Sequence, residues 1–156
     1  MEKYINIARK IVTNPDDLKQ IRSELNYTYT NPDKFIENNE RELNKENDLL
    51  WFTLVDFLID KHYAFEVDWK ATIAEIESEL DVLLDKHNLS FSFDLDQDTD
   101  ELDAGELLAF INPLLKRTIN YILVNLDIDS DSYVTVIVTK NDLSDLEHLD
   151  KRITVY

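Results

Sequence analysis

Residues Leu49 to Lys70 read LLWFTLVDFLIDKHYAFEVDWK. Over Leu49 to Lys61 the polar positions Thr53, Asp56 and Asp60 fall at i, i+3 and i+7, one narrow stripe on a helix that is apolar nearly all round. Such a helix is packed by neighbours on several sides. Tyr63, Phe65 and Val67 then alternate with Ala64 and Glu66, the period of a half-buried strand. A central helix running straight into a strand predicts an α+β core, and the rest of the chain extends that pattern.

Upstream, Tyr4, Ile5, Ala8, Ile11 and Val12 share one helical face. Asn14-Pro15-Asp16 breaks the chain before a thinner stripe of Leu18, Ile21 and Leu25. Asn31 is placed to cap a third helix with Pro32 at its first position. Phe35, Ile36 and Leu43 are its only anchors, so it is expected to lie largely in water. Downstream, Asp68 is expected to cap a helix whose inner face is Ile73, Ile76, Leu80 and Leu83, stopping at Asn88. Phe91, Phe93 and Leu95 alternate as a strand, and an acidic loop follows to Asp103. Ala104, Leu107, Leu108, Ile111, Leu114 and Leu115 trace another helical face, which Pro113 should kink or split. Ile122 to Ile128 and Val134 to Val138 are two further strands. A helical turn near Leu143 to His148 and a last strand at Arg152 to Tyr156 close the chain.

Strands buried on both faces read as continuous apolar runs. These strands read as alternating, so the expectation is a two-layer α+β domain: helices on one face of a mainly antiparallel sheet of four or five strands, with a helical segment at 1–48 before the core at 49–156. The other face is expected to display Glu66, Ser92, Asp94, Asn125, Asp127, Thr135 and Thr139 to solvent. No repeat or Gly/Ser-rich linker divides the 156 residues, a length that suits one domain.

Composition removes many functions. There is no cysteine, hence no disulfide, thiolate nucleophile or Cys-based zinc site; this fits a reducing cytoplasm. The N-terminal MEKYINIARK lacks a signal-peptide core, and no apolar run approaches the ~20 residues of a membrane span. A cytoplasmic location is expected. Thirty-three acidic residues against 16 basic ones give a net charge of −17, which disfavours nucleic acid and acidic membranes as partners and favours cations or a basic protein. The bland explanation of the same charge is solubility. The single glycine, Gly105, rules out the glycine-rich phosphate loops of the common nucleotide enzymes.

Asp127, Asp129 and Asp131 alternate in DIDSDSY, between two strands. Three carboxylates in one loop could hold calcium or magnesium, yet an EF-hand would need Gly and Glu where Ser132 and Val138 stand. The alternative is a hairpin turn whose Asp and Ser side chains satisfy backbone donors. Aspartyl phosphotransferases share an Asp-x-Asp after a strand, but they need a parallel sheet, which the hairpin opposes. Asp94, Asp96, Asp98 and Asp100 form a second acidic alternation, either a solvated loop or, if it meets the first, part of one site. Asp56, in the most apolar helix, is either a perturbed acid/base or a structural hydrogen-bond acceptor. His62, His87 and His148 each stand near a helix end, where the dipole favours them. A hydrolase built on the aspartates and a histidine stays open by residue type, without a nucleophile elbow.

The 49–70 segment and the DIDSDSY turn together resemble a group of small bacterial proteins classed as a domain of unknown function, over roughly residues 49 to 140. The resemblance implies a bacterial source and an α+β fold, and no chemistry. The leading expectation is a non-enzymatic, immunity-protein-like interaction domain that presents Glu66, Asp94, Asp96 and Asp127 to a basic protein. The alternatives are a calcium- or magnesium-binding domain and a hydrolase, both using Asp127, Asp129 and Asp131.

Overall fold

The computed structural model describes residues 1–92 and 102–156. Its elements in chain order are α1 (Glu2–Ile11), α2 (Pro15–Thr30), α3 (Pro32–Asn38), α4 (Leu49–Asp60), β1 (Ala64–Asp68), α5 (Ile73–Lys86), α6 (Ala104–Thr118), β2 (Tyr121–Leu126), β3 (Ser132–Thr139), α7 (Lys140–Leu149) and β4 (Ile153–Val155). The strands form one antiparallel sheet in the order β1-β3-β2-β4. The α+β class, the antiparallel sheet and the helical N-terminal segment are as the sequence predicts. The strand expected from Phe91 has no counterpart at Phe91 and Ser92; its continuation through Phe93 and Leu95 lies outside the described residues.

Helix ends follow local chemistry. Asn14 caps α2 by accepting from Asp16 N, with Pro15 in the first turn. Thr72, not Asp68, caps α5 in a reciprocal capping box with Glu75; Asp68 instead accepts from Lys70 N in the turn after β1. Asp103 and Glu106 form a second capping box at α6. These boxes satisfy amides that the first helical turn leaves unpaired. Asn31 ends α2 by donating to Tyr27 O and makes no side-chain cap on α3. As expected, α3 buries no residue. Pro113 does not split α6. Pro113 and Ala109, whose carbonyl loses its helical partner, are both exposed, so water can accept the loss.

The expectation of one covered face is overturned. On one side of the sheet, Ala64, Ile122, Val124, Leu126, Val134, Val136 and Val138 pack against α1, α2, α4 and the buried Leu146 of α7. On the other, Phe65, Val67, Leu123 and Ile137 pack against α5 and α6. The sheet is therefore sandwiched between two helical layers. Alternation misled because the polar strand residues are paired and not solvated. Thr135, predicted to face water, is completely buried, with its hydroxyl 2.6 Å from that of Tyr156. Asn125 is half-buried and accepts from the same Tyr156 hydroxyl at 3.4 Å. Glu66 pairs across with Val134 and shares that residue's face, opposite to Thr135.

Asn112 finishes the sheet where β4 stops. Pairing with β4 covers Val124 to Leu126 of β2, which leaves Leu123 without a partner on that edge. The buried Asn112 amide donates to Leu123 O at 3.0 Å and its oxygen accepts from Leu123 N at 2.8 Å. The side chain thus imitates a strand. The one glycine also has a packing role: a Cβ on Gly105 would lie 2.6 Å from the Tyr133 hydroxyl oxygen, so the end of the Tyr133 ring rests against the α6 backbone in space that a side chain would fill. Asn112→Ala leaves two buried backbone groups of Leu123 unpaired and should cost about 3 kcal/mol of stability in urea unfolding; a cost below about 1 kcal/mol would mean that water replaces the amide.

Candidate functional site

Asp48 begins the site. It caps α4 by accepting from Trp51 N at 3.3 Å, and the cap turns Trp51 inward, where it is 1% exposed. The indole Nε1 donates to Asp127 O at 2.9 Å. One hydrogen bond therefore joins the central helix to the turn between β2 and β3. Asp127 N in turn donates to Arg152 O at 2.8 Å.

Arg152 lies over the Trp51 ring, 4.2 Å from its centroid, a stacking that suits the planar guanidinium. Its Nη2 contacts Asp150 at 2.7 Å and Asp48 at 3.0 Å, and its Nε contacts Asp150 at 3.0 Å. Lys3 adds a bond to Asp150 at 2.8 Å, and the Tyr4 hydroxyl donates to Asp48. Burial alone would raise the Asp150 carboxyl; the bonds from Arg152 and Lys3 outweigh it and hold that group far below the usual carboxylate range. Asp48 is lowered in the same way: burial opposes, while Tyr4 and Arg152 prevail.

Across from this cluster runs the connection 39–48. Arg41 pins it down. Its Nε contacts Asp56 at 2.7 Å and its Nη2 contacts Glu66 at 2.6 Å, and its guanidinium lies 5.9 Å from the Phe52 centroid. Asn39 donates to Asp56 at 2.8 Å. Asp56 is thus a structural acceptor, joining α4 to the connection. Glu66 also accepts from Ser132 Oγ at 2.5 Å. Burial would raise its carboxyl, but Arg41 and Ser132 lower it.

Between the two arginines lies a cleft of about 780 Å³. One wall is Glu42, Leu43 and Glu46, the other is Asp127 to Ser130, and Trp51, Phe52 and Asp48 form the floor. The second wall is the hairpin turn that the sequence predicts. Asp129 adopts a positive φ of 57° and donates its N–H to Asp127 Oδ1 at 2.8 Å, a conformation that Asp tolerates better than most residues. Ile128 is buried and anchors the turn to the core.

The turn thus brings Asp127 and Asp129 to the cleft, while Asp131 is not part of its lining. Among the described residues no three of His, Asp and Glu are grouped to hold a metal ion. No hydrogen bond or ion pair joins a histidine to Asp127, Asp129 or Asp131 among them. His62 follows α4 at a positive φ of 61°, His87 caps the end of α5 and His148 lies in the last turn of α7, as their helix-end positions predict. Of the residues expected to meet a partner, Asp127 is exposed at the cleft and Glu66 is engaged by Arg41 and Ser132; Asp94 and Asp96, with Asp98 and Asp100, lie outside the described residues.

With this geometry in place, comparison with known proteins adds one finding. A family model described as a domain of unknown function (DUF6630) matches residues 3–155. The chain belongs to that family. The match covers the N-terminal helices as well as the central segment. Comparison with curated proteins and with solved structures returned no match. Among the described residues no helix is long and apolar enough to cross a membrane.

Sequence reasoning missed the two arginines, and of the cleft carboxylates it singled out only Asp127 and Asp129. Asp48 had a readable signal, an acidic residue immediately before an apolar helix. Arg41 and Arg152 had none, since Arg152 meets Asp48 across 104 positions. Asp150→Asn should lower stability by about 2 kcal/mol at pH 7 by removing a charged acceptor from Arg152 and Lys3. Because folding lowers this carboxyl, the difference from wild type should persist above about 3.9, its unfolded value, and shrink as the pH falls below it. Urea unfolding at pH 7, 4 and 3 checks this; a pH-independent difference would remove the carboxylate charge from the account.

Proposed function

We propose that this protein is a non-enzymatic interaction domain that takes a basic protein partner into the cleft between residues 41–48 and the 127–130 turn, in the manner of acidic immunity proteins that neutralise toxic nucleases. The observation that carries the reading is the division of charge at the cleft. Both arginines there are held by the protein's own carboxylates, Arg41 by Asp56 and Glu66 and Arg152 by Asp48 and Asp150. Glu42, Glu46, Asp127 and Asp129 stand exposed around the opening. The arginines are thus poor receptors for an anion, and the rim attracts cations. Leu43 and Phe52 are half-buried and can cover the aliphatic stem of an entering lysine or arginine.

A field of this sign speeds encounter with a basic surface and weakens with salt. Glu66 contributes only by holding Arg41, since meeting a partner would cost it that pair. Asp127, Asp129, Glu42 and Glu46 carry the contact.

The test is titration against a panel of basic nucleases at low and high salt. The expected result is at least one complex whose association rate falls about tenfold or more with added salt. Reversing charge with Glu42→Lys and Glu46→Lys should weaken that complex about tenfold or more, against little change for Glu147→Lys outside the cleft lining. The absence of any salt-sensitive complex would overturn the proposal; equal losses at Glu147 would move the contact away from the cleft.

A further inference from the structure

The two helical layers meet at His87. This histidine ends α5, whose apolar face lies in the second core. Its ring packs edge-on against Tyr63, with centroids 5.9 Å apart, and against Tyr121 at the start of β2, 6.4 Å away. The Tyr63 hydroxyl crosses to the first layer. It donates to Asp17 of α2 at 2.9 Å and accepts from Asn14 N at 3.2 Å. Lys86, next to His87, lies 4.3 Å from the Tyr63 centroid and 3.5 Å from the Asp17 carboxylate. Four elements, α2, the α4–β1 junction, α5 and β2, thus share one polar and aromatic contact.

Its chemistry is one-sided. Nε2 of His87 is buried and has no hydrogen-bond partner among the described residues. A neutral imidazole tolerates this as an unprotonated nitrogen. A protonated one would place a charged donor there with no acceptor. The titratable groups facing the ring are the phenols of Tyr63 and Tyr121, the Lys86 ammonium, and Asp17 beyond Tyr63. The nearest charge is positive, and the Asp17 carboxylate already serves both Tyr63 and Lys86. A helix C-terminus favours a cation, but a buried donor without an acceptor outweighs that field. Burial, and then the Lys86 charge, lower the affinity of His87 for a proton.

We propose that the His87–Tyr63–Tyr121 contact is a pH-operated latch between the helical layers: the neutral imidazole closes it, and protonation frees the end of α5 from Tyr63 and α2. It stands apart from the cleft and does not rest on the reading given to it. Because the closed form binds the proton less well than the open form, the latch is fully closed above about 6.5, the value of an unburied imidazole, and weakens as the pH falls below it. The carboxylates that folding lowers, Asp48, Glu66, Glu75, Asp142 and Asp150, act at lower pH, below the window from about pH 7.5 to 5.5 in which an imidazole titrates.

Two measurements on the full chain decide the matter. His87, one of three histidines, is followed by NMR titration, and exchange at the α5 C-terminal amides is followed from pH 7.5 to 5.5 after correction for intrinsic rates. The expected result is a His87 midpoint below about 6.5. Protection at these amides should fall by up to about tenfold per pH unit below that value, and His87→Phe, which keeps the ring contacts and cannot titrate, should show no such fall. A His87 midpoint at or above about 6.5 would overturn the latch, as would a decline of the same slope in His87→Phe. If His87→Phe does not fold, the wild type decides alone: a His87 midpoint at or above about 6.5, or protection at the α5 C-terminal amides that does not fall below that value, overturns the latch.

Discussion

The pairing of β2 with β3 is the constraint on which the other elements depend. These two strands are the inner pair of the sheet, in register from Tyr121 with Thr139 to Asn125 with Thr135. Ile122, Val124, Val136 and Val138 point to one side, and Leu123 and Ile137 to the other. A strand pair that is apolar on both sides has to be covered twice, so the chain divides its helices between two layers. The same pairing closes at the 127–131 turn. Its position sets the outer wall of the cleft, and Trp51 reaches it through a single N–H.

Charge follows a similar division. Among the described residues, nine of the sixteen basic residues take part in ion pairs: Lys3, Arg9, Lys10, Lys19, Arg41, Lys45, Lys61, Lys86 and Arg152. Several of these pairs tie distant segments together. Lys10 of α1 meets Asp142 and Asp145 of α7, and Arg152 meets Asp48 and Asp150. The half-buried arginines are the more consequential ones, since exposed pairs contribute little whereas a partly buried arginine with two carboxylates orders the segments it joins. With many basic groups engaged internally, excess carboxylates remain at the surface. A net charge that composition reports only as a total therefore acquires a direction at the cleft.

The polar residues of the sheet show where pattern reading fails. Thr135 and Asn125 read as solvent-facing because an isolated strand has no other way to satisfy a hydroxyl and an amide. Here the last residue of the chain, Tyr156, supplies the hydroxyl that pairs with both. Asn112, which no sequence pattern singles out, completes the edge of β2. Period-2 alternation reports polarity and not exposure, and the two separate when a distant side chain brings a matching donor or acceptor.

By itself the sequence determined most of the helix and strand periods, the 127–131 turn, and the exclusion of glycine-loop and cysteine chemistry. All of these depend on residues within a few positions of one another or on composition. Only the tertiary structure decided that both faces of the sheet are covered, that Arg41 and Arg152 are held by carboxylates, and that Asp127 and Asp129 share a cleft with Glu42 and Glu46. Those outcomes depend on side chains tens of positions apart, whose meeting is set by how the helices divide over the sheet and leaves no periodic trace in the chain.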